Sequence, residues 1–261
     1  MRIRTIIDKE WAEVFKNRLV LFTVGLLPLL FIVMPLIQLA AMREVDPGEM
    51  NDVPGNIARL CQLQGFNAAE CLQGFLAGQF MLFFFLLPLA IPVTIASYSI
   101  VGEKTTRSLE PLLATPTTTA EIILGKALAA AIPAIAATWL SFAVFIVGAR
   151  FLVVSDRVYA LLTDPMWLAG MLLVAPLLTV LSVNIAIVIS SRVSDPRAAE
   201  QLGMLVMLPL IGLFFLQILG VVALNLNAML LFAAGLLAID AALVAVGVKL
   251  FQREAILTQW R

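Results

Sequence analysis

The chain has 261 residues, of which 62% are hydrophobic and only 13% are charged, with a mean hydropathy of +1.02. Soluble domains carry about 25% charged residues, so this composition excludes an ordinary soluble protein and indicates an integral membrane protein. Seventeen basic residues balance seventeen acidic ones, and because no basic face alternates with aromatic residues, we expect no nucleic acid as a partner.

The first eighteen residues predict an amphipathic helix. Ile3, Ile7, Trp11 and Val14 recur at spacings of three and four residues, and charged side chains occupy the other side. This pattern is typical of a helix that lies in the membrane interface, over residues 1–18. The alternative is a merely positive flank that sets the topology of the chain.

Six apolar runs are long enough to cross a hydrocarbon core, which takes about 20 helical residues. They predict membrane spans over residues 19–42, 75–101, 122–147, 166–190, 202–224 and 228–250. Only "LNLN", residues 224–227, separates the last two, and it predicts a tight turn because asparagine tolerates turn backbone. The predicted fold class is an all-α integral membrane protein with one transmembrane domain over residues 1–261.

The distribution of basic residues predicts the orientation. If the N-terminus is inside, thirteen of the seventeen basic residues fall in inner segments and four in outer ones. The positive-inside rule then places both termini in the cytoplasm and makes the chain a multi-pass protein of the cell membrane.

Both cysteines lie in the first outer loop of this topology. Cys61 and Cys71 would face an oxidising compartment and could form a disulfide. Two free thiols are the alternative.

The segment "GEKTTRSLEPLLATPTTTAEIILGK", residues 102–126, is a polar interruption with leucines inside it. Leu109, Leu112 and Leu113 stand at i, i+3 and i+4, which predicts a short apolar stripe on a cytoplasmic helix. The charged and proline residues around them are Glu103, Lys104, Arg107, Glu110 and Pro111. Such a helix suits a groove on a soluble partner. An ordinary solvated connection is the alternative.

Local chemistry predicts where the helices of this segment begin and end. Pro111 is tolerated only near the first turn of a new helix, so the preceding span should break before it. Pro116 then closes the short helix. Thr118, with Glu121 three residues later, forms a capping box that starts the third span.

A second inner loop, "SSRVSDPRAAEQLG", residues 190–203, repeats this logic. Asp195 is placed to cap a helix whose first residue is Pro196. Arg192 and Arg197 would then face the cytoplasm and make a secondary contact with a partner. A solvated, positively charged connection is the alternative here too.

The two loop segments resemble the corresponding loops of type-2 ABC transporter permeases, and the similarity in length and topology covers nearly the whole chain. The resemblance implies that residues 102–116 are a coupling helix that docks on a separate ATPase subunit. It also implies that two permease chains, either two copies of this chain or this chain and a similar one, form the pathway. ATP and Mg would be bound by the partner ATPase, with no cofactor on this chain. The chain itself lacks a P-loop, since Gly125 and Lys126 are followed by Ala127 and no glycine stands five residues before Gly125.

Asp240 is the charged residue predicted to lie deep in a span, the sixth, and an intramembrane carboxylate is a candidate functional group. It would contact a cationic substrate or a proton, or else be a carboxyl bonded to a neighbouring helix.

The predicted function is export of a drug, peptide or lipid-like molecule across the cytoplasmic membrane. The alternatives are efflux of a cation such as sodium, and a non-transporting membrane anchor for a soluble complex. The chain has no histidine, and the spans hold no paired carboxylates, so we predict neither a catalytic residue nor a metal site. Membrane lipids are the predicted surroundings of the spans.

Overall fold

Helices make up all the regular structure of the described residues. The computed structural model describes residues 2–43, 65–105, 118–219, 221–222 and 224–250. In chain order the α-helices are α1 (Arg2–Val14), α2 (Arg18–Arg43), α3 (Ala68–Phe83), α4 (Leu87–Thr105), α5 (Thr119–Leu152), α6 (Asp156–Leu162), α7 (Pro165–Ala169), α8 (Ala175–Arg192), α9 (Pro196–Met204), α10 (Leu208–Ile218) and α11 (Leu226–Leu250). No strand occurs within these ranges, which confirms the predicted all-α class.

Six helical segments of the described chain are long and apolar enough to cross a membrane, as predicted. Spans 1 to 6 are Val20–Arg43, Ala69–Ser99, Ala120–Leu152, Asp156–Ser190, Pro196–Ile218 and Leu226–Ala245. Spans 2 to 6 begin two to ten residues before the predicted starts. Span 5 ends at Ile218 and not at residue 224, so residues 219–225 separate it from span 6, more than the predicted "LNLN" turn. Span 4 has 35 residues, more than a hydrocarbon core of about 30 Å requires at 1.5 Å per residue. Thr163 and Asp164 separate its first helix, α6, from α7.

Three spans change helix type just before a proline. The pairs are the 3₁₀ turn Phe84–Leu86 with Pro88, the π turn Gly170–Val174 with Pro176, and the 3₁₀ turn Leu205–Met207 with Pro209. Proline lacks an N–H and its ring displaces the carbonyl of the preceding turn, so the hydrogen bonding is rearranged there. Pro28, Pro35, Pro92 and Pro133 lie inside continuous α-helices instead.

Span 2 forms the centre of the bundle. Of its most apolar stretch 83% is buried, against 11% to 44% for the other five spans. Phe84, Phe85 and Leu87 are almost fully enclosed there, and α4 packs against α2, α5, α8 and α9. Because span 2 is surrounded by the other helices, the other five spans form the outer surface of the bundle.

The two ends of the bundle are distinct. At one end, called the α1 end, α1 packs against α5 and α4. At the opposite end, called the far end, Gln73 of α3 joins three segments: its Nε2 donates to the carbonyls of Leu39 (3.2 Å) and Leu152 (3.3 Å), and its Oε1 accepts from the N–H of Val154 (2.8 Å). Leu152 is the last residue of α5, so its carbonyl has no helical partner, and the Gln73 amide supplies one.

Asparagine caps two helices at the far end. Asn67 and Glu70 form a capping box that starts α3. Asn225, inside the predicted "LNLN" turn, accepts a hydrogen bond from the N–H of Ala228 at 2.8 Å and so starts α11. The asparagine at this position ends the connection by capping the next helix.

Helix α1 exists, but its buried face differs from the predicted stripe. Ile6, Glu10 and Val14 are the buried residues, at steps of four, while Ile7 and Trp11 are half-buried. The prediction assumed that apolar residues alone mark the contact face, whereas a glutamate lies at its centre. Placement of α1 in the membrane interface stays a prediction.

Candidate functional site

The predicted coupling segment begins at the end of α4 and ends at the start of α5. Helix α4 continues through Glu103 and Lys104 to Thr105. The other six predicted coupling residues lie outside the described residues: Arg107, Leu109, Glu110, Pro111, Leu112 and Leu113. Their role in docking therefore stays a prediction, and the structure bears on it only through the helices on either side.

The N-terminus of α5 has the predicted capping box. The Thr118 hydroxyl accepts from the N–H of Glu121 at 3.2 Å, and the Glu121 carboxylate accepts from the N–H of Thr118 at 2.8 Å. Each side chain satisfies a donor that the first turn leaves open. The point at which the chain re-enters the bundle after the coupling segment is thus held by local hydrogen bonds.

A buried polar cluster joins α1 to both helices that flank the coupling segment. Lys126 of α5 donates from Nζ to Oε1 of Glu10 at 2.6 Å and to the hydroxyl of Ser99 of α4 at 3.0 Å. Ser99 in turn donates to Oε2 of Glu10. Glu10 is 1% exposed and Lys126 is 8% exposed. We call Glu10, Ser99 and Lys126 the clamp.

The other members of the clamp stabilise the negative charge of Glu10. Burial alone would disfavour the charge on Glu10, but the ammonium of Lys126 and the hydrogen bonds from Lys126 and Ser99 outweigh it and hold the pKa of Glu10 below its ordinary value. Lys9 lies 3.5 Å from the same carboxylate, on the more exposed side. Glu10 is therefore ionised in a nearly closed site, and its removal would break a buried ion pair with Lys126.

Close packing and one further hydrogen bond complete the contact between α1 and α5. A Cβ added to Gly125 would lie 2.7 Å from Cγ2 of Ile6, so only glycine lets the two helices approach this closely. The indole of Trp11 donates to the carbonyl of Ala129 at 2.9 Å. Gly125 thus allows α1 to pack closely on α5, and Lys126 pairs with Glu10 of α1.

The second loop at the α1 end matches its prediction in part. Asp195 caps α9 by accepting from the N–H of Arg197 at 2.8 Å, with Pro196 in the first turn. Arg192, Asp195 and Arg197 are all exposed at this end. Contact of these residues with a partner stays a prediction.

Helix α9 is also tied to span 2. Glu200 accepts from the Thr94 hydroxyl at 2.7 Å, and Gly203 packs so closely on Val93 that a Cβ would lie 2.6 Å from it. The second loop is therefore connected to the same central span whose end enters the coupling segment.

Asp240 lies in α11, as predicted, and is 4% exposed. Within the described residues neither of its carboxylate oxygens has a hydrogen-bond partner. The predicted alternative of a carboxyl bonded to a neighbouring helix therefore finds no partner there. A buried and unpaired carboxyl is costly in apolar surroundings and marks Asp240 as a candidate site.

Only one of the two cysteines lies in the described chain. Cys71 is buried in α3 and is disulfide-bonded, while Cys61 lies outside the described residues. The predicted pairing of the two stays a prediction.

The clamp was not predicted from the sequence, although it leaves a signal there. Glu10 interrupts the row Ile6, Glu10, Val14, which is otherwise apolar at steps of four. Lys126 stands near the start of an apolar span. A charge within each of two apolar faces indicates a buried pair, because neither charge is tolerated alone.

Comparison with known families places the chain. The family model described as ABC-2 family transporter protein matches residues 4–254. None of the curated proteins matches the chain. The matched range includes the clamp, both predicted contact loops and all six spans. The chain therefore belongs to the ABC-2 family of transporters, as a multi-pass membrane component of a transport system.

Proposed function

We propose that the chain is the permease subunit of an ATP-driven exporter and that a separate ATPase subunit docks on residues 102–116. The observation that carries the proposal is the clamp. It fastens α1 to α4 and α5, the two helices between which the proposed docking segment lies. A force on that segment is then passed to three helices as one unit.

A docking segment can transmit the movement of an ATPase to the membrane helices only if it is rigidly connected to them. A loop held only at its ends would absorb a push by bending, whereas helices cross-linked close to the segment move together. Ser99 precedes the first residue of the segment, Gly102, by three residues, and Lys126 follows the last, Pro116, by ten. At 3.6 residues per turn, the clamp therefore lies within about three helical turns of each end of the segment.

The orientation and assembly follow from the proposed docking. The α1 end faces the cytoplasm, where ATP is available, so both termini are cytoplasmic and the far end faces outward. Thirteen of seventeen basic residues support this orientation through the positive-inside rule. Two permease copies enclose the pathway, and two ATPase subunits bind ATP and Mg.

A largely apolar bundle favours hydrophobic or amphipathic cargo such as a drug, a peptide or a lipid-like molecule. Cation efflux is a second candidate, and the unpaired carboxyl of Asp240 favours it. Replacement of Asp240 by asparagine keeps the shape and removes the charge. Loss of sodium efflux from proteoliposomes in that variant, with export of apolar compounds retained, would support the cation route.

The main proposal is tested by co-purification. The double variant Leu109→Asp with Leu112→Asp should insert normally and lose the ATPase, because charges replace the apolar contact surface. Arg4→Asp is the control: it also makes the chain more negative by two charges, at a side chain that is 88% exposed on α1, and should retain the ATPase. Retention by the double variant would refute the docking role. ATPase that co-purifies with a complex unable to move any cargo would instead support the membrane anchor.

A further inference from the structure

Two cavities adjoin at the far end of the bundle. The larger, of about 520 Å³, lies between Gly74 and Gly78 of α3, the short helices α6 and α7, and the start of α11. The smaller, of about 190 Å³, lies between span 2, α10 and α11. Leu224 borders both. The larger volume falls in the range of about 300–1,000 Å³ that is usual for small-molecule sites.

The smaller cavity offers only apolar contacts. Its lining includes Leu82, Phe85, Leu213, Met229 and Phe232, and all the described residues that line it are apolar. Because nothing in it hydrogen-bonds, a polar substituent placed there would lose its hydration without compensation. An alkyl chain or an aromatic ring carries no such penalty.

The larger cavity has a negative charge at its edge. Asp164 is exposed and lines it, and its Oδ1 caps α7 by accepting from the N–H of Met166 at 2.8 Å. No basic side chain in the described chain pairs with Asp164. Arg150, by contrast, pairs with Asp156. The second carboxylate oxygen of Asp164 is therefore available to a cation.

Asn225, also at the edge of the larger cavity, uses its Oδ1 to cap α11. Its amide nitrogen makes no hydrogen bond within the described residues and adds a donor to the lining of the larger cavity. The lining of the larger cavity therefore includes a charged and a neutral polar group, whereas the described lining of the smaller one is apolar.

We propose that the two cavities together form a binding site for a cationic amphiphile. The ammonium head lies beside Asp164 in the larger cavity, and the apolar chain passes Leu224 into the smaller one. This inference rests on the proposed export function and names the class of cargo. In the proposed orientation the site is on the release side of the membrane.

Gly78 allows a direct test, because the space that its side chain would occupy is open. A Cβ added to Gly78 meets nothing within 4 Å, so a phenylalanine there extends toward the larger cavity without a clash at its base. Gly235 of α11 is equally open but lines neither cavity. Gly78→Phe blocks the site, and Gly235→Phe is the matched control.

The probe is a decylamine that carries a photoactivatable diazirine at the end of its chain, applied to the purified complex in lipid nanodiscs. Mass spectrometry should find the label at Leu213, Met229 or Phe232. Labelling there should fall at least tenfold in Gly78→Phe and stay unchanged in Gly235→Phe. Asp164→Asn should weaken labelling by the amine several-fold and leave labelling by the uncharged decanol analogue unchanged.

Three results would overturn the inference. One is labelling spread evenly over lipid-facing residues such as Leu231, which is 76% exposed. Another is equal labelling in Gly78→Phe and the wild type. The third is equal loss of amine and alcohol labelling in Asp164→Asn.

A transport assay separates this inference from the proposed function. If Gly78→Phe and Asp164→Asn both export the amine at the wild-type rate, the export function is supported and the two cavities are not the cargo site. If the site is labelled as expected but the complete complex, supplied with ATP, does not move the amine, the site is supported and the export function fails.

Discussion

Removing the carboxylate of the clamp should release α1 from the bundle. Glu10→Ala removes the carboxylate that lies 2.6 Å from the ammonium of Lys126, a residue that is 8% exposed. Breaking a buried pair by removing one partner costs about 3–5 kcal/mol. Because the Ser99 hydroxyl remains 3.0 Å from Nζ, we expect a loss of about 3 kcal/mol, at the lower end of that range.

Hydrogen exchange of the α1 amides, followed by mass spectrometry, measures this directly. A loss of about 3 kcal/mol in the free energy of local opening corresponds to exchange about 100-fold faster. Alanine is a better helix former than glutamate, so a change in helix propensity alone would slow exchange. In the assembled complex, the same variant should reduce the ATPase activity that is coupled to transport.

Glu13→Ala is the matched control. Glu13 is on the same helix and lies 3.5 Å from Lys9, but its side chain is 57% exposed. An exposed pair contributes up to about 1 kcal/mol, so exchange should change little. Glu10→Met combined with Lys126→Met removes both charges and should restore most of the protection. Equal exchange in Glu10→Ala and Glu13→Ala would refute the clamp.

The remaining predictions concern pH, capping and packing. The pKa of Glu10 is lowered in the folded protein, so its charge stabilises the packing of α1 at pH values above the ordinary pKa of 4.5, and this stabilisation is lost as the pH falls through the lower folded pKa. Hydrogen exchange of α1 in the wild type should therefore approach that in Glu10→Gln only in acid. A difference between the two that stays constant throughout the acid range would contradict this. Asp195→Ala should destabilise α9 by about 1 kcal/mol, measured by exchange of its first-turn amides, while Asp195→Asn should be nearly neutral. Gly125→Ala should displace Ile6 and accelerate α1 exchange, whereas Gly25→Ala, with open space around it, should not; equal effects would argue against the close approach.

Much of the fold was predictable because membrane helices obey strong local rules. A hydrocarbon core requires long apolar helices, so span number follows from composition and run length. The caps at Thr118 and Asp195 were equally predictable, since each is a contact between residues two or three apart. The sequence also contained the family resemblance, carried by two loop segments.

The clamp was beyond such rules because its members are far apart in the chain. Glu10 and Lys126 are separated by 116 residues, and Ser99 and Lys126 by 27. A local pattern describes one helix at a time, so it assigned the contact face of α1 to apolar residues alone. The buried glutamate is tolerated only because another helix brings an ammonium to it.

Gly78 shows the same limit at the far end. In the sequence it pairs with Gly74 four residues earlier, a spacing typical of close helix contacts. In the structure Gly74 does make a close contact, since a Cβ added there would lie 3.1 Å from Cδ1 of Leu161, while Gly78 faces open space. Whether a small residue allows close packing with another helix or lines a cavity depends on which residues lie opposite it.

The sequence by itself therefore determined the class of protein, the number of spans, the caps at Thr118 and Asp195, and the family. The tertiary structure alone decided which charges are buried together, which glycines are close contacts and where cavities lie. The physical reason is that apolar length and capping are properties of single segments, whereas ion pairing and packing are properties of pairs of segments that only folding brings together.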